Sequence, residues 1–148
     1  MLFLTAGDIT ALELFEARYA IEPETAAMAA SRRTQADLDE LREIWEQSVE
    51  PGLDVAEFAA LDFKFHHRVA GMSQNRLLRT MHEQIGPHYA IYSERAVSIP
   101  GRRERACEGH HQIMDAIVRK DPEGARDAAV AHLRSAERDI ARAASQND

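Results

Sequence analysis

Asp54-Val55-Ala56-Glu57-Phe58-Ala59-Ala60-Leu61-Asp62-Phe63-Lys64-Phe65-His66-His67-Arg68-Val69-Ala70-Gly71 is the stretch on which the fold of this chain turns. Asp54 followed three residues later by Glu57 is a helix start: the aspartate accepts from the first turn and the glutamate reaches back. Phe58, Leu61, Phe65 and Val69 then recur at helical spacing and make one apolar face. Gly71 is the expected C-cap. Asp62 and His66 are four residues apart in this helix, so both side chains leave the same face. They sit at the edge of the apolar stripe, where a carboxylate is costly unless something compensates it, and a divalent cation does so.

The same punctuation continues outward in both directions. Toward the N-terminus, Asp8 is expected to cap a helix carrying Leu12, Leu14, Phe15 and Tyr19 to about Arg32, kinked or broken at Pro23. Thr34 with Asp37 opens a second helix with Leu38, Leu41, Ile44 and Trp45, stopped by Pro51-Gly52. Toward the C-terminus, a helix from about Asn75 to Val97 is expected to turn Leu77, Leu78, Met81 and Ile85 inward and to bend at Pro87. Pro100-Gly101 ends it, and a further helix runs to about Lys120. Asp121-Pro122 then sets a capping acid before a proline at the first position of a last helix, to about Ala144. There is no Asn-Gly or Asp-Gly turn and no alternating β-branched run. The fold class is therefore all-α, an antiparallel bundle of six helices: residues 1–8 a lead-in, 9–144 the helical domain and 145–148 a frayed tail.

At 148 residues the chain is long enough for one domain with a real core. Its 25 acidic and 18 basic residues give a net charge of −7, which disfavours direct nucleic-acid binding. The densest basic cluster, Arg102, Arg103 and Arg105, reads as a solvated helix face. Cys107 is the single cysteine, so no intramolecular disulfide is possible. No apolar run reaches the ~20 residues of a membrane span, and the short apolar start lacks a basic signal-peptide region. The expected setting is soluble and cytoplasmic, away from the membrane.

His110 and His132 lie on two later helices among apolar neighbours, and with Asp62 and His66 they make a set able to bind a transition metal. Periodicity does not choose between His110 and His111. His110 shares a face with Ala106, Ile113 and Ile117, His111 with Cys107, Met114 and Val118. His132 lies near Ala125, Ala129 and Ala136, small residues that leave room for an ion. His67 points away from the pair. His82 and His88 have no carboxylate at helical spacing and read as ordinary packed histidines.

Several of these segments together resemble a known family. Leu14-Phe15-Glu16-Ala17-Arg18-Tyr19-Ala20-Ile21-Glu22-Pro23 is similar to the opening helix of the FCD domain, the C-terminal effector-binding domain of FadR-type regulators in the GntR family. Asp62-Phe63-Lys64-Phe65-His66 resembles its Asp-x3-His element, and Ser73-Gln74-Asn75-Arg76-Leu77-Leu78 the turn that follows. His110-His111-Gln112-Ile113-Met114-Asp115-Ala116-Ile117 is similar to its His-x4-Asp-Ala-Ile segment, and His132-Leu133 to the His-Leu of its last helix. The likeness covers about residues 9 to 140. It implies that Asp62, His66, His110 and His132 ligate the metal, which resolves the choice at 110/111. It further implies an all-α antiparallel bundle of six to seven helices that forms a homodimer and binds a small organic acid beside the metal. The residue before His110, commonly acidic in the family, is Gly109, with Glu108 one place earlier. The family's N-terminal winged helix-turn-helix is absent from this chain, so DNA would be reached only through such a domain.

The expected function is thus metal-dependent sensing of an organic acid for a transcriptional regulator, without enzymatic activity. The metal would be a divalent late first-row ion, zinc or nickel rather than calcium. Arg18, and with it Arg95, would clamp the far end of the acid. The bland alternative for Arg18 is an i,i+4 salt bridge to Glu22. Two other classes compete: a metal-dependent hydrolase, for which no His-Glu-x-x-His pattern and no well-placed base is present, and a metal-free helical interaction module.

Overall fold

The structure is a computed structural model that describes residues 9–145. Seven helices account for the ordered elements, with no strand among the described residues: α1 (Ala11–Arg32), α2 (Gln35–Val49), α3 (Val55–Met72), α4 (Arg76–Gln84), α5 (Gly86–Val97), α6 (Arg102–Val118) and α7 (Pro122–Ser145).

Their starts follow side-chain chemistry. Thr34 with Asp37 and Asp54 with Glu57 form complete capping boxes on α2 and α3. Asp121 accepts from the backbone N–H of Gly124 at the start of α7. α1 is capped by Thr10 paired with Glu13; Asp8, expected in that role, lies outside the described residues. Pro23 leaves α1 unbroken.

Three expectations are corrected. Gly71 lies within α3, which ends instead at Ser73, whose N–H bonds back to Val69 and Ala70. The segment 75–97 is two helices, because Pro87 falls in the first turn of α5, where a missing N–H costs nothing. Along α4 and its C-cap the inward row is Leu78, His82 and Ile85, so Leu77 and Met81 are exposed. A fully buried His82, anchored on Glu22 of α1, fixes that rotation.

The core joins Ala26, Ala29 and Ala30 of α1, Leu41 and Ile44 of α2, Phe65, Val69 and Met72 of α3, Ile113 and Ile117 of α6, and Ala125 and Ala129 of α7. Alanines on α1 and α7 let those helices approach closely along their length. Trp45 ties α2 to α6 by donating from its indole N–H to the Cys107 carbonyl, 2.9 Å away. This frame aims α3, α6 and α7 at one interior point.

Candidate metal centre

At that point α3 supplies Asp62 and His66, α6 supplies His110 and α7 supplies His132, all buried. One ligand atom from each lies within 4.8 Å of the others. Nε2 of His110 is 2.9 Å from Asp62 Oδ1 and 3.0 Å from Nε2 of His66, and Nε2 of His66 is 3.6 Å from Asp62 Oδ1. Ligands about 2.1 Å from a shared ion stand about 3.0 Å apart at right angles and about 3.4 Å apart at tetrahedral angles. The three spacings among Asp62, His66 and His110 are those of neighbouring ligands of one ion, and His132 lies within 4.8 Å of them.

Local packing explains the convergence. Phe65 belongs to the core, and the ring of His110 stacks on it with centroids 4.4 Å apart. His110 shares its face with the buried Ile113 and Ile117, whereas His111 is exposed and tilts against Trp45 at 5.1 Å. The structure therefore turns His110, not His111, inward. His132 closes the group, its ring centroid 5.0 Å from His66 and 4.7 Å from His110.

Hydrogen bonding leaves a gap that a cation would fill. Ser93 on α5 donates to Asp62 Oδ2 at 2.8 Å, yet Oδ1, though 2.9 Å from His110 Nε2, is buried without a well-formed hydrogen bond among the described residues. A buried carboxylate oxygen of that kind is costly unless a positive charge meets it. Three imidazoles and one carboxylate fit zinc or nickel, and fit calcium poorly.

Support behind the histidines is uneven. Nδ1 of His66 faces Glu22 Oε1 at 3.4 Å, the carboxylate-behind-histidine arrangement that fixes a ligand's ring and leaves Nε2 free to bind. Glu22 is itself buried between Arg18, whose Nε is 2.7 Å away, and His82, whose Nε2 is 3.3 Å away. Burial works against its charge, but Arg18 foremost, then His66 and His82, outweigh burial and hold the carboxyl well below the usual range. Nδ1 of His110 and Nδ1 of His132 are buried with no hydrogen-bond partner among the described residues. The second follows from Gly109: a Cβ there would lie 2.4 Å from His132 Nδ1, so the imidazole rests directly on the α6 backbone. Glu108 does not take over, being exposed and bonded to Gln112.

Beside the cluster runs a cavity lined by Arg18, Asp62, Tyr89, Ser93, Arg102 and His132 on its polar side and by Leu14, Phe15, Phe58 and Ala136 on its apolar side. Arg18 holds both positions considered for it: it pairs with Glu22 and it also lines this cavity, its guanidinium 4.3 Å from the Tyr89 ring. Arg95 is exposed on α5, 5.7 Å from the Tyr92 ring, and is not brought to the cavity. Arg102, expected on a solvated face, is 4% exposed. Glu22, Tyr89, Ser93 and Arg102 are the polar residues that sequence reading passed over as parts of the site. Only the Arg18–Glu22 spacing hinted at any of them, since α5 carries no motif that marks Tyr89 or Ser93.

Burial pushes His110 down to about 4, with Asp62 partly opposing, and pushes His132 well below its ordinary value. In the unfolded chain both histidines take up protons near pH 6.5. As pH falls from about 6.5 to 4 the unfolded state therefore binds more protons than the native one, and native stability declines. The metal-free protein should lose about 1.4 kcal/mol per pH unit per histidine across that window, in urea titrations between pH 7.5 and 4.5. A flat profile over the window would show that both imidazoles protonate inside the fold.

Comparison with known proteins places these features in a family. Residues 13–135 match the model of the FCD domain. A protein of Escherichia coli (strain K12) named for regulation of the L-lactate dehydrogenase operon is 34% identical over 125 residues, covering 82% of this chain and 48% of that protein. The Exu regulon transcriptional regulator of the same strain is 33% identical over 125 residues, with the same coverage. Among solved structures, Streptococcus agalactiae GntR superposes with a TM-score of 0.72 at 28% identity, covering 85% of this chain and 57% of that one. The chain spans about half the length of the curated relatives it matches, and those relatives are named as regulators, not enzymes.

Proposed function

This chain belongs to the FCD domain family of GntR-type transcriptional regulators, and on that premise we propose that it senses a small organic acid with the help of a divalent metal. The observation that carries the proposal is the buried Asp62–His66–His110–His132 cluster opening onto a cavity that Arg18 also lines. Asp62, His66, His110 and His132 would hold zinc or nickel, which when bound supplies positive charge and an open position for a carboxylate oxygen. Arg18 would meet the acid from α1 through guanidinium donors that Glu22 does not occupy. Tyr89 and Ser93 fix Arg18 and Asp62 respectively, and the apolar wall excludes water from the bound acid.

Glu22 contacts both Arg18 and His66, so acid contact with Arg18 and the orientation of a metal ligand are joined through one carboxylate. In a homodimeric regulator such a change would shift the bundle and with it attached winged helices. With its net charge of −7 the chain itself is not expected to hold DNA. The names of the relatives support a hydroxy-acid setting, since one is tied to an L-lactate dehydrogenase operon; none supports the hydrolase alternative.

The test is thermal unfolding with L-lactate and L-malate, on metal-loaded and chelator-stripped protein. At 100 times its Kd, an acid that binds only the native state adds about 2.7 kcal/mol, several degrees in Tm. The shift is expected in the loaded protein and should largely vanish after stripping. Equal shifts in both would put the acid away from the cluster, and no shift in either would rule out these short hydroxy acids as its ligands.

A further inference from the structure

The cavity beside the histidines holds a second buried guanidinium. Arg102 opens α6 and lines the same cavity as Arg18. Both hydrogen bonds it makes among the described residues use Nη1, to Ser135 Oγ at 3.2 Å and Asp139 Oδ2 at 3.0 Å. Asp139 is shared: Arg105 reaches it with Nη2 at 3.0 Å and with Nε at 3.0 Å. One carboxylate thus faces two guanidinium groups, which leaves a positive charge unbalanced, and Arg102 is the buried member of the pair. A buried Arg with donors to spare and incomplete charge balance is built to receive an anion. The cavity therefore carries guanidinium groups from two helices, Arg18 on α1 and Arg102 on α6, beside Asp62 and His132.

We propose that Arg102 is a second anion-binding residue of this cavity, and that the ligand is a diacid, one carboxylate held at the Asp62–histidine end beside Arg18 and the other by Arg102. This rests on the acid-sensing reading above and narrows it to a ligand class.

A matched pair of probes isolates the second carboxylate: D-gluconate and D-glucarate share a six-carbon hydroxylated chain and differ only in whether the far end is an alcohol or a carboxylate. With metal-loaded protein, glucarate is expected to bind about tenfold more tightly than gluconate by calorimetry, the scale of a charge-assisted bidentate contact. Arg102→Gln should bring the ratio close to one with metal content unchanged. Arg105 still pairs with Asp139 in that variant, so no buried carboxylate is orphaned. If Arg102→Gln fails to fold, Arg102→Lys keeps the charge at Asp139 without the planar fork and should still lower the ratio several-fold. Equal binding of the two probes by the wild type, or an unchanged ratio in the variants, would overturn the proposal. So would binding of lactate, a monoacid, with neither malate nor glucarate bound, an outcome that leaves acid sensing in place. Binding of none of the four acids would remove acid sensing and the diacid together.

Discussion

His110→Ala is expected to strip the divalent ion from the protein, whereas His111→Ala, one residue along, retains it. His110 lies at 1% exposure with Nε2 2.9 Å from Asp62 and 3.0 Å from His66, while His111 is on the outer face against Trp45. Structural zinc sites are worth about 10–16 kcal/mol in total, so one of four ligands accounts for roughly 3 kcal/mol, or on the order of a hundredfold in affinity. His132→Ala should match His110→Ala in size. Elemental analysis of untagged protein dialysed without chelator reads the result directly. Equal metal content in the two adjacent variants would mean that α6 is rotated by about 100°, or that the cluster holds no ion.

How far such a site can be read from sequence differs from helix to helix. α2, α3 and α7 begin where Thr34, Asp54 and Asp121 said they would, because a cap is a local bargain between one side chain and the adjacent N–H groups. α4 went the other way. Its apolar residues Leu77 and Met81 predicted an inner face, but the rotation is decided by His82 reaching Glu22 sixty residues upstream. No window centred on α4 contains that partner. The Asp62–His66 pair was legible for the opposite reason, since four-residue spacing on one helix is itself a geometric statement. The choice of His110 over His111 came from family resemblance, and the structure supplies its physical counterpart in the stacking of His110 on Phe65. Arg102 was misjudged because three nearby arginines look alike in sequence; Asp139, on another helix, pairs with Arg102 and Arg105 alike, and only the rotation of α6 buries the first and exposes the second.

Arg18→Ala is expected to destabilise the whole domain, and the loss should trace to Glu22 and not to missing arginine contacts alone. Removing the guanidinium leaves a carboxylate at 5% exposure with only His66 and His82 beside it. Breaking a buried pair in this way costs about 3–5 kcal/mol, or roughly 10 °C in Tm for a domain of this size. Because the penalty is that of an uncompensated charge, Glu22→Gln in the same background should restore part of the stability, whereas contact loss alone would make the two substitutions additive. Arg18→Lys separates folding from recognition. A lysine keeps a charge for Glu22 but gives up the planar fork that also reaches the Tyr89 hydroxyl. Its Tm should stay within a few degrees of wild type and its metal content should be unchanged, while stabilisation by malate drops about tenfold in apparent affinity. Malate affinity untouched by Arg18→Lys would take Arg18 out of the binding site and leave it as the counter-ion of Glu22 alone.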